Sequence, residues 1–483
     1  MIPFSEQVNR AGRDLGRQPF AVGKTTVFTY LELPTCIHNI SRLLRRAGIG
    51  PGDVVAIALK REPIIALAYL AIMYHGAVAL PLVYGTPLRS LEKLRSCVTP
   101  VLIISDRALA ADIPCLNISR ADLLAGGTRI LPPGSPSPDD VCYLNTTSGT
   151  TGQPKVAACT ARGIYWNTQS TCAYFAMKTG ERHLCLFPAH VHPHEFFARP
   201  LLTGGTAVLI HDLLPRHLPA ILKDFRIHCL MAAPTMQKAM ITYSRDRSDF
   251  CHTRLFEAGG MPTALALRKA FPEKTGRPIT PVWGSTETLG VALAAAGGPF
   301  AERLIGRPIP GYQVHIDPAG RGEPTSRGQM YISGPGMMRG YLGCPPLEGA
   351  WPTRDQVERR EGWYYFKGRL DNMIKRGGLR IYPEELGSVI AAAPSVKQAV
   401  VLPYDHPLYG RDIRLFVVKA QNFQGIKKLR QYLREVLEPH EIPSHIQVVD
   451  SIPLRSNGKV DHARLQKLFP LPGAEPATKR DAR

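Results

Sequence analysis

The sequence predicts an α/β protein with a large N-terminal domain of helix-covered sheets and a small α+β C-terminal domain. Short apolar runs of strand length alternate with helical patterns through the first 370 or so residues, which favours parallel sheets covered by helices. The chain of 483 residues exceeds one ordinary core, and near Gly368 the pattern becomes shorter and charge-rich. We therefore expect a large domain over 1–370, a small domain over 371–469 and a disordered tail over 470–483.

The elements of the large domain follow from apolar periodicity. Apolar runs predict strands at 54–59, 101–105, 184–188, 206–210 and 229–233. A helical period predicts a helix over 33–47 that ends at Gly48, and the run 63–77 predicts a buried helix. Two Gly- and Pro-rich segments, 306–311 and 334–341, predict turns.

The predicted small domain contains helices over 383–393 and 426–437 around short strands such as 398–402. No apolar run approaches the roughly 20 residues of a membrane span, and the N-terminus lacks a signal-peptide core, which predicts a cytoplasmic protein without a membrane span. The 10 cysteines occur singly without CxxC pairs, which disfavours zinc sites and indicates reduced, mostly structural thiols.

The formal net charge of +20 indicates either an anionic partner or a basic surface without a specific role. The basic residues are dispersed and no nucleic-acid module accompanies them, so we expect no nucleic-acid function. Anionic small ligands, an acidic protein partner and a generally basic surface without a specific role all remain open.

One segment is dense in glycines and hydroxyl residues after an apolar strand start: Tyr143 to Lys155. Glycines let the backbone approach an anion closely, amides and hydroxyls donate to it, and the lysine adds a positive charge, which suits a triphosphate. The segment closely resembles the phosphate loop of the acyl-adenylate-forming superfamily. The resemblance implies that ATP is bound by Thr147, Ser148, Gly149, Thr150, Thr151, Gly152 and Lys155.

Further motifs resemble the same superfamily, and together they cover about 30–465. The segment 283–288 is similar to its aromatic-Gly-x-Thr-Glu element. The resemblance implies that the ring of Trp283 covers the purine, that Thr286 contacts the α-phosphate and that Glu287 holds Mg²⁺. The resemblance also implies that Gly259 and Gly260 line the adenine pocket. Gly260 and Gly284 are further implied to border the acid.

The remaining motifs resemble superfamily elements before and beyond the expected domain boundary, and they imply that the small domain is mobile. Asp355 is expected to bind the ribose hydroxyls, although Arg354 replaces the usual glycine before it. The resemblance places Arg369 on the nucleotide and Asp371 at the hinge. It further implies that Gly377 and Gly378 approach the thiol acceptor, and that Lys459 is the catalytic cation between the acyl carboxylate and the α-phosphate, acting with Thr286 and Glu287.

The acid pocket is the least determined part of the site. His190 aligns with a histidine or aromatic residue near the acyl carboxylate, and Val191 stands where activators of ortho-hydroxy aryl acids have asparagine. We therefore expect an AMP-forming ligase that joins an aryl or acyl acid to coenzyme A. Loading of a phosphopantetheine on an acidic carrier protein and a non-catalytic adenylate-binding sensor are the alternatives.

Overall fold

The computed structural model describes residues 4–82, 84, 94–107, 112–125, 137–147, 155–188, 191–317, 326–372, 374–376, 379–406, 410–437, 441–455 and 459–470. The chain forms two compact units. The large unit comprises Met1–Thr353 and Glu358–Phe366, and the small unit comprises Arg354–Val357 and Lys367–Arg483. Residues 354–357 therefore belong to the small unit, whereas the sequence analysis placed a single domain boundary at residue 370. The predicted disordered tail lies outside the described residues, apart from residue 470.

The strands are numbered in chain order. Those up to residue 208 are β1 Pro19–Val22, β2 Val27–Thr29, β3 Val54–Ala58, β4 Val78–Pro81, β5 Leu102–Ser105, β6 Cys115–Leu116, β7 Val141–Thr147, β8 Lys155–Thr160, β9 Arg182–Cys185 and β10 Thr206–Val208. They are followed by β11 Cys229–Ala232, β12 Leu255–Ala258, β13 Ile279–Ser285, β14 Gly290–Ala294, β15 Leu304–Pro308, β16 Gln313–Asp317, β17 Arg327–Ser333, β18 Gly340–Tyr341, β19 Trp351–Arg360 and β20 Trp363–Arg369. The last are β21 Ile374–Arg376, β22 Leu379–Ile381, β23 Val396–His406, β24 Gly410–Lys419 and β25 His445–Val448.

The α-helices are numbered in the same way. They are α1 Phe4–Leu15, α2 Leu33–Arg46, α3 Pro63–His75, α4 Arg120–Leu124, α5 Ala161–Tyr174, α6 Ala198–Thr203, α7 Leu218–Asp224, α8 Pro234–Tyr243, α9 Leu265–Thr275, α10 Pro383–Ala391, α11 Ile426–Val436 and α12 His462–Leu468. Among the described helices, none is long and apolar enough to cross a membrane.

Two sheets organise the large unit. One has the order β18-β8-β7-β4-β3-β5-β6, in which β7, β4, β3, β5 and β6 are parallel. The other has the order β16-β17-β19-β20-β15-β14-β13-β12-β11-β9-β10-β1-β2, with parallel strands from β13 to β1. Parallel strands place their carboxyl ends at one edge, where ligands of open α/β sheets bind. The sequence-predicted α/β class is confirmed.

Burial explains why the predicted elements form. All but one of the thirteen residues of α3 are buried, as the apolar run predicted. The second sheet packs around a cluster that includes Phe256 and Phe271. Each predicted strand of the large unit is present, although β9 begins two residues earlier than expected and ends at Cys185. All 10 cysteines are free thiols, and half of them are buried.

The segment 306–311 corrects a sequence prediction. It was expected to be a turn, but Leu304–Pro308 forms β15, which pairs with β14 and β20. Gly306 has φ +120°, and a Cβ there would overlap the backbone of Ala294. The glycine therefore permits close strand pairing. Gly311, at φ +86°, does lie in a turn, and Gly340 and Tyr341 form the short strand β18.

The small unit contains a β21–β22 hairpin and a three-stranded sheet, β23-β24-β25. Strands β23 and β24 are antiparallel, and β24 and β25 are parallel. Helices α10 and α11 contribute Leu386, Ile390, Leu429 and Leu433 to a core shared with these strands. The predicted small α+β domain is confirmed, with helices ending one or two residues earlier than expected.

Candidate functional site

The two ends of the predicted phosphate loop face each other across the β7–β8 hairpin. Thr147 at the end of β7 pairs with Lys155 at the start of β8. The predicted ATP ligands between them lie outside the described residues: Ser148, Gly149, Thr150, Thr151 and Gly152. The hairpin thus fixes where the loop leaves and re-enters the sheet.

Tyr341 connects this loop to the predicted metal ligand. The Lys155 ammonium lies 5.2 Å from the centroid of the Tyr341 ring. The Tyr341 hydroxyl donates a 2.5 Å hydrogen bond to Glu287 Oε1. Strand β18 pairs with β8, which brings Tyr341 beside the start of β8. A cation and a carboxylate predicted from separate motifs therefore meet at one aromatic side chain. The sequence analysis assigned only a structural role, that of a turn, to the segment that contains Tyr341.

A hydrogen-bonded turn holds Thr286 and Glu287. The Thr288 hydroxyl accepts from the Ser285 amide at 2.9 Å and donates to the Gly290 carbonyl at 2.7 Å. Asn167, 1% exposed, donates to the Thr288 and Val291 carbonyls at 3.1 and 2.8 Å. Asn167, on helix α5, therefore fixes the turn, and the sequence analysis did not identify this residue. The only signal for it in the sequence was its polar character within a helix that packs against the sheet.

Gly284 has a packing role besides any contact with substrate. A Cβ on Gly284 would overlap the Gly290 carbonyl oxygen, because β13 and β14 approach closely at this point. Trp283, the predicted purine-stacking residue, precedes it on β13 and is partly exposed. The substrate contact predicted for Gly284 remains a prediction.

The predicted adenine and acid segments meet at Phe187. Gly259 and Gly260 follow the end of β12, and a Cβ on Gly260 would lie 3.2 Å from the Phe187 ring. Gly260 has φ +81°, a conformation that favours glycine. The Phe187 ring contacts the His192 ring edge at a centroid distance of 5.1 Å. The structure therefore places these two predicted segments side by side.

Val191 is positioned by a buried amide from β7. Asn145 Nδ2 donates to the Val191 carbonyl at 3.1 Å, and Asn145 is 3% exposed. His190, the predicted carboxylate neighbour, lies outside the described residues. Two residues before Asn145, the Tyr143 hydroxyl lies 3.0 Å from His194 Nδ1.

Two described histidines of the acid segment, His192 and His194, are neutral near pH 7. Burial lowers the pKa of His192 to about 4, and the Arg199 charge adds to this lowering. Burial also lowers the pKa of His194 well below its usual range, with His192 and Arg199 acting in the same direction. These side chains therefore supply hydrogen bonds and apolar surface at this segment rather than positive charge.

A buried ionic triad ties the acid segment to β12. Arg199 Nε lies 2.6 Å from Glu195 Oε2, and the Arg199 Nη atoms donate to both Glu257 oxygens at 2.6 and 3.1 Å. The three residues are 2%, 5% and 0% exposed. Burial raises the pKa of Glu195 to about 7, while Arg199 opposes that shift. Arg199 lies on α6 and Glu257 immediately precedes Ala258 and Gly259, so the triad fixes the backbone from which the predicted pocket is built. Sequence reasoning missed it.

In the small unit, Asp355, Arg369 and Lys459 form one electrostatic cluster. Arg369 Nη1 lies 3.1 Å from Asp355 Oδ1, and Asp355 is 4% exposed. Lys459 is exposed as a whole residue, although other protein atoms surround its ammonium. Burial of the ammonium is the largest cause that lowers the pKa of Lys459, followed by the Arg369 charge, whereas Asp355 opposes the shift. Arg354 has φ +63°, so it keeps the left-handed conformation for which glycine is usual.

The predicted hinge and acceptor residues are placed less completely. Asp371 lies in a short 3₁₀ turn, Leu370–Asn372, just after β20. Gly377 and Gly378 fall between the paired strands β21 and β22 and lie outside the described residues.

Comparison with protein families decides the classification. The AMP-binding enzyme model matches residues 8–342, and the model of the AMP-binding enzyme C-terminal domain matches residues 385–459. The chain belongs to the AMP-binding enzyme family. It is an adenylate-forming enzyme of the superfamily that its motifs resemble.

Individual members of this family are similar over almost the whole chain. Novobiocin biosynthesis protein H of Streptomyces niveus is 29% identical and covers 98% of this chain and 84% of its own length. Feruloyl-CoA synthase of an Amycolatopsis species is also 29% identical, over 92% of this chain and 94% of its own. The ATP-bound structure of MatB from Rhodopseudomonas palustris has a TM-score of 0.86 at 22% identity, over 96% of this chain and 99% of that one. The fold of this AMP-binding enzyme is therefore one that binds ATP in a solved structure.

Proposed function

We propose that this AMP-binding enzyme uses ATP to activate an aryl or acyl acid as an acyl-adenylate, which it transfers to the thiol of coenzyme A. The observation that carries the proposal is the arrangement of Lys155, Tyr341 and Glu287. It places a cation and a metal-binding type of carboxylate beside the base of a phosphate loop, which is the combination that a metal-bound triphosphate requires.

ATP binding follows from this arrangement. The loop 147–155 would surround the phosphates with amides and hydroxyls, while Trp283 offers its ring to the purine beside Gly259 and Gly260. In the small unit, Asp355 would accept from the ribose hydroxyls, and Arg369 would reach the nucleotide. The 3.1 Å contact between Arg369 and Asp355 orients that carboxylate before ATP binds.

Magnesium fits this site as a substrate-bound ion. Glu287 is an oxygen ligand of the kind that Mg²⁺ prefers. Among the described residues, no group of three or more His, Cys, Asp or Glu side chains could hold a metal. Phosphate oxygens and waters would therefore complete the coordination, and the ion would supply charge neutralisation at the phosphates.

The acid pocket favours an apolar acid without an ortho-hydroxyl group. Val191 offers no side-chain hydrogen bond, and the adjacent His192 and His194 are neutral near pH 7. Phe187 adds an aromatic wall beside Gly260. Similarity to feruloyl-CoA synthase, whose name specifies an aromatic acyl group, supports an aryl acid.

The chemistry is expected to proceed in two steps. In the first, a carboxylate oxygen attacks the α-phosphorus and pyrophosphate leaves; Lys459 offsets the repulsion between the two anions, and Thr286 contacts the α-phosphate. In the second, the thiol sulfur attacks the acyl carbon and AMP leaves. Rotation of the small domain about Asp371 would exchange Lys459 for Gly377 and Gly378 between the steps.

Carrier-protein loading is the second candidate, because a carrier protein and coenzyme A present the same phosphopantetheine thiol. The net charge of +20 suits either anion.

Acid-dependent exchange of pyrophosphate into ATP tests the proposal. The acids compared would be benzoates, arylpropenoates, alkanoates and 2-hydroxybenzoates. We expect exchange with at least one of the first three classes and preference over 2-hydroxybenzoates. Each acid that supports exchange would then be tested for thioester formation with coenzyme A and with a phosphopantetheinylated carrier protein. Preference for 2-hydroxybenzoates would contradict the pocket assignment, and absence of exchange with every acid would contradict the proposed function.

A further inference from the structure

A group of cationic and aromatic residues lies beyond the predicted adenylation motifs, at the carboxyl edge of both sheets. Lys60 and Arg61 follow β3, Tyr84 follows β4, Arg107 follows β5 and His211 follows β10. We call these five residues the Arg61 cluster. Strands β4, β3 and β5 are parallel neighbours, and β10 is parallel to β9. Because their carboxyl ends share an edge, loops from the two sheets of the large unit converge here.

Arg61 is a shielded cation held by main-chain carbonyls. Its Nε donates to the Ile210 carbonyl at 3.0 Å, and Nη1 donates to the Cys185 carbonyl at 3.4 Å. In the ranges that the structure describes, no carboxylate lies within 4 Å of this guanidinium. The nearby Asp212 side chain is 86% exposed and contacts His211 at 3.2 Å instead. Burial lowers the pKa of Arg61, as expected for a shielded cation without a close counter-ion.

The other two cations of the cluster, Lys60 and Arg107, lie near the Tyr84 ring. The Arg107 guanidinium lies 4.6 Å from the centroid of the Tyr84 ring, and the Lys60 ammonium lies 5.9 Å from it. The His211 ring contacts the same ring edge-on at 4.9 Å. The Tyr84 hydroxyl is buried and has no hydrogen-bond partner among the residues that the structure describes. A buried hydroxyl without a partner is costly, so a ligand that accepts its hydrogen bond would be favoured here.

We propose that the Arg61 cluster binds the phosphate groups of the thiol acceptor, an inference that rests on the proposed acyl transfer. Two cations around the Tyr84 ring, the hydroxyl donor of that ring and the nearby Arg61 guanidinium match an anion with several phosphate oxygens. Arg61 also links the cluster to the acid segment, because Cys185 lies two residues before Phe187.

The spacing separates this cluster from the predicted purine contact of ATP. That contact lies on β13, whereas Cys185 ends β9 and Ile210 follows β10. Four strand steps separate β13 from β10 in the sheet order, which corresponds to about 19 Å. The phosphate and the thiol of a pantetheine acceptor are joined by a long flexible arm, so its two ends can occupy places separated in this way.

The double variant Lys60→Gln with Arg107→Gln tests the proposal, because it removes two outer charges and leaves the Arg61 contacts in place. We expect the KM for coenzyme A to rise about tenfold or more, and its dependence on salt to weaken, because each lost phosphate contact removes a charge-assisted hydrogen bond. The ratio of the KM for coenzyme A to the KM for ATP should rise by the same factor. The double variant Arg45→Gln with Arg46→Gln, at two exposed arginines of α2, is the matched charge control.

Three acceptors identify the phosphate. A rise of the KM for coenzyme A, with the KM for 3′-dephospho-coenzyme A unchanged, would support binding of the 3′-phosphate. An equal rise of the KM for both, or for a phosphopantetheinylated carrier protein, would support binding of the phosphates on the pantetheine arm. If the KM values of all three acceptors change less than twofold while pyrophosphate exchange proceeds, the inference is overturned and the proposed adenylation stands. Absence of pyrophosphate exchange in the unmodified enzyme would instead contradict the proposed function itself.

Discussion

Replacing Arg199 by glutamine removes the one cation between two buried carboxylates. Glu195 is 5% exposed and Glu257 is fully buried, and both lie within 2.6 Å of the Arg199 guanidinium. Without that charge, neither carboxylate has a counter-ion in the triad. The folded variant is therefore expected to take up one proton more than the unmodified fold, in which Glu195 already has a pKa of about 7. The unfolded chain, with an ordinary glutamate pKa of about 4.3, does not bind that additional proton at neutral pH.

The cost of that proton sets the magnitude. Each pH unit above the unfolded pKa costs about 1.4 kcal/mol for one carboxyl that stays protonated in the fold. Arg199→Gln should therefore destabilise the protein by about 4 kcal/mol at pH 7 and by about 1 kcal/mol at pH 5. The sign is fixed, because the folded state binds more protons than the unfolded state and its stability consequently falls as pH rises. Breaking a buried ion pair by removing one partner typically costs about 3–5 kcal/mol, which agrees with the value at pH 7.

Urea denaturation followed by tryptophan fluorescence measures this effect, since all 4 tryptophans belong to the large unit. Glu195→Gln is the matched control: it leaves the Arg199–Glu257 pair neutral and should stay within about 1 kcal/mol of the unmodified protein. Arg46→Gln, at an exposed arginine, should change stability by no more than about 0.5 kcal/mol. A cost for Arg199→Gln that is below about 1 kcal/mol at pH 7, or that is equal at both pH values, would refute the charged triad.

Substitutions at three further positions test other parts of the site. Gly284→Ala should cost about 3 kcal/mol in urea denaturation, because its Cβ would overlap the Gly290 carbonyl; a cost below about 1 kcal/mol would contradict the close β13–β14 approach. Tyr341→Phe should lower the pyrophosphate exchange rate about tenfold by removing the hydroxyl that orients Glu287, and Tyr341→Ala should lower it further; equal rates in Tyr341→Phe and the unmodified enzyme would count against this role. Lys459→Ala should slow adenylation by roughly 10²–10³-fold while supplied acyl-adenylate is still converted to thioester, and single-turnover kinetics that show both steps slowed equally would contradict its assignment.

Local pattern determined much of the fold. The α3 run is almost wholly buried, and its apolar composition alone predicted a buried helix. Helix α2 ends within one residue of its prediction because apolar periodicity and a following glycine agree. Strand β15 was missed because glycine and proline, here Gly306 and Pro308, are usually turn residues. The close approach to β14 explains the glycine.

The residues of the candidate site were also predictable only in part. Motif residues such as Lys155 and Glu287 were predictable because the chemistry of phosphate and metal binding restricts the residue types and their order. Contacts between distant segments were not, since no local signal pairs Arg199 with Glu257, 58 residues later in the chain. The same reason hid Asn167, whose carbonyl partners lie more than 120 residues away.

The central claim is that an acid carboxylate attacks the α-phosphorus of ATP to give an acyl-adenylate. It is tested most directly by following oxygen from an accepted acid that carries ¹⁸O in both carboxylate positions. When the thiol displaces AMP from the acyl carbon, the bridging carboxylate oxygen stays on phosphorus. The account predicts one ¹⁸O in each AMP released and none in pyrophosphate, measured by mass spectrometry. Formation of ADP with the label in inorganic phosphate would contradict it, because that result requires attack at the γ-phosphorus and an acyl-phosphate intermediate.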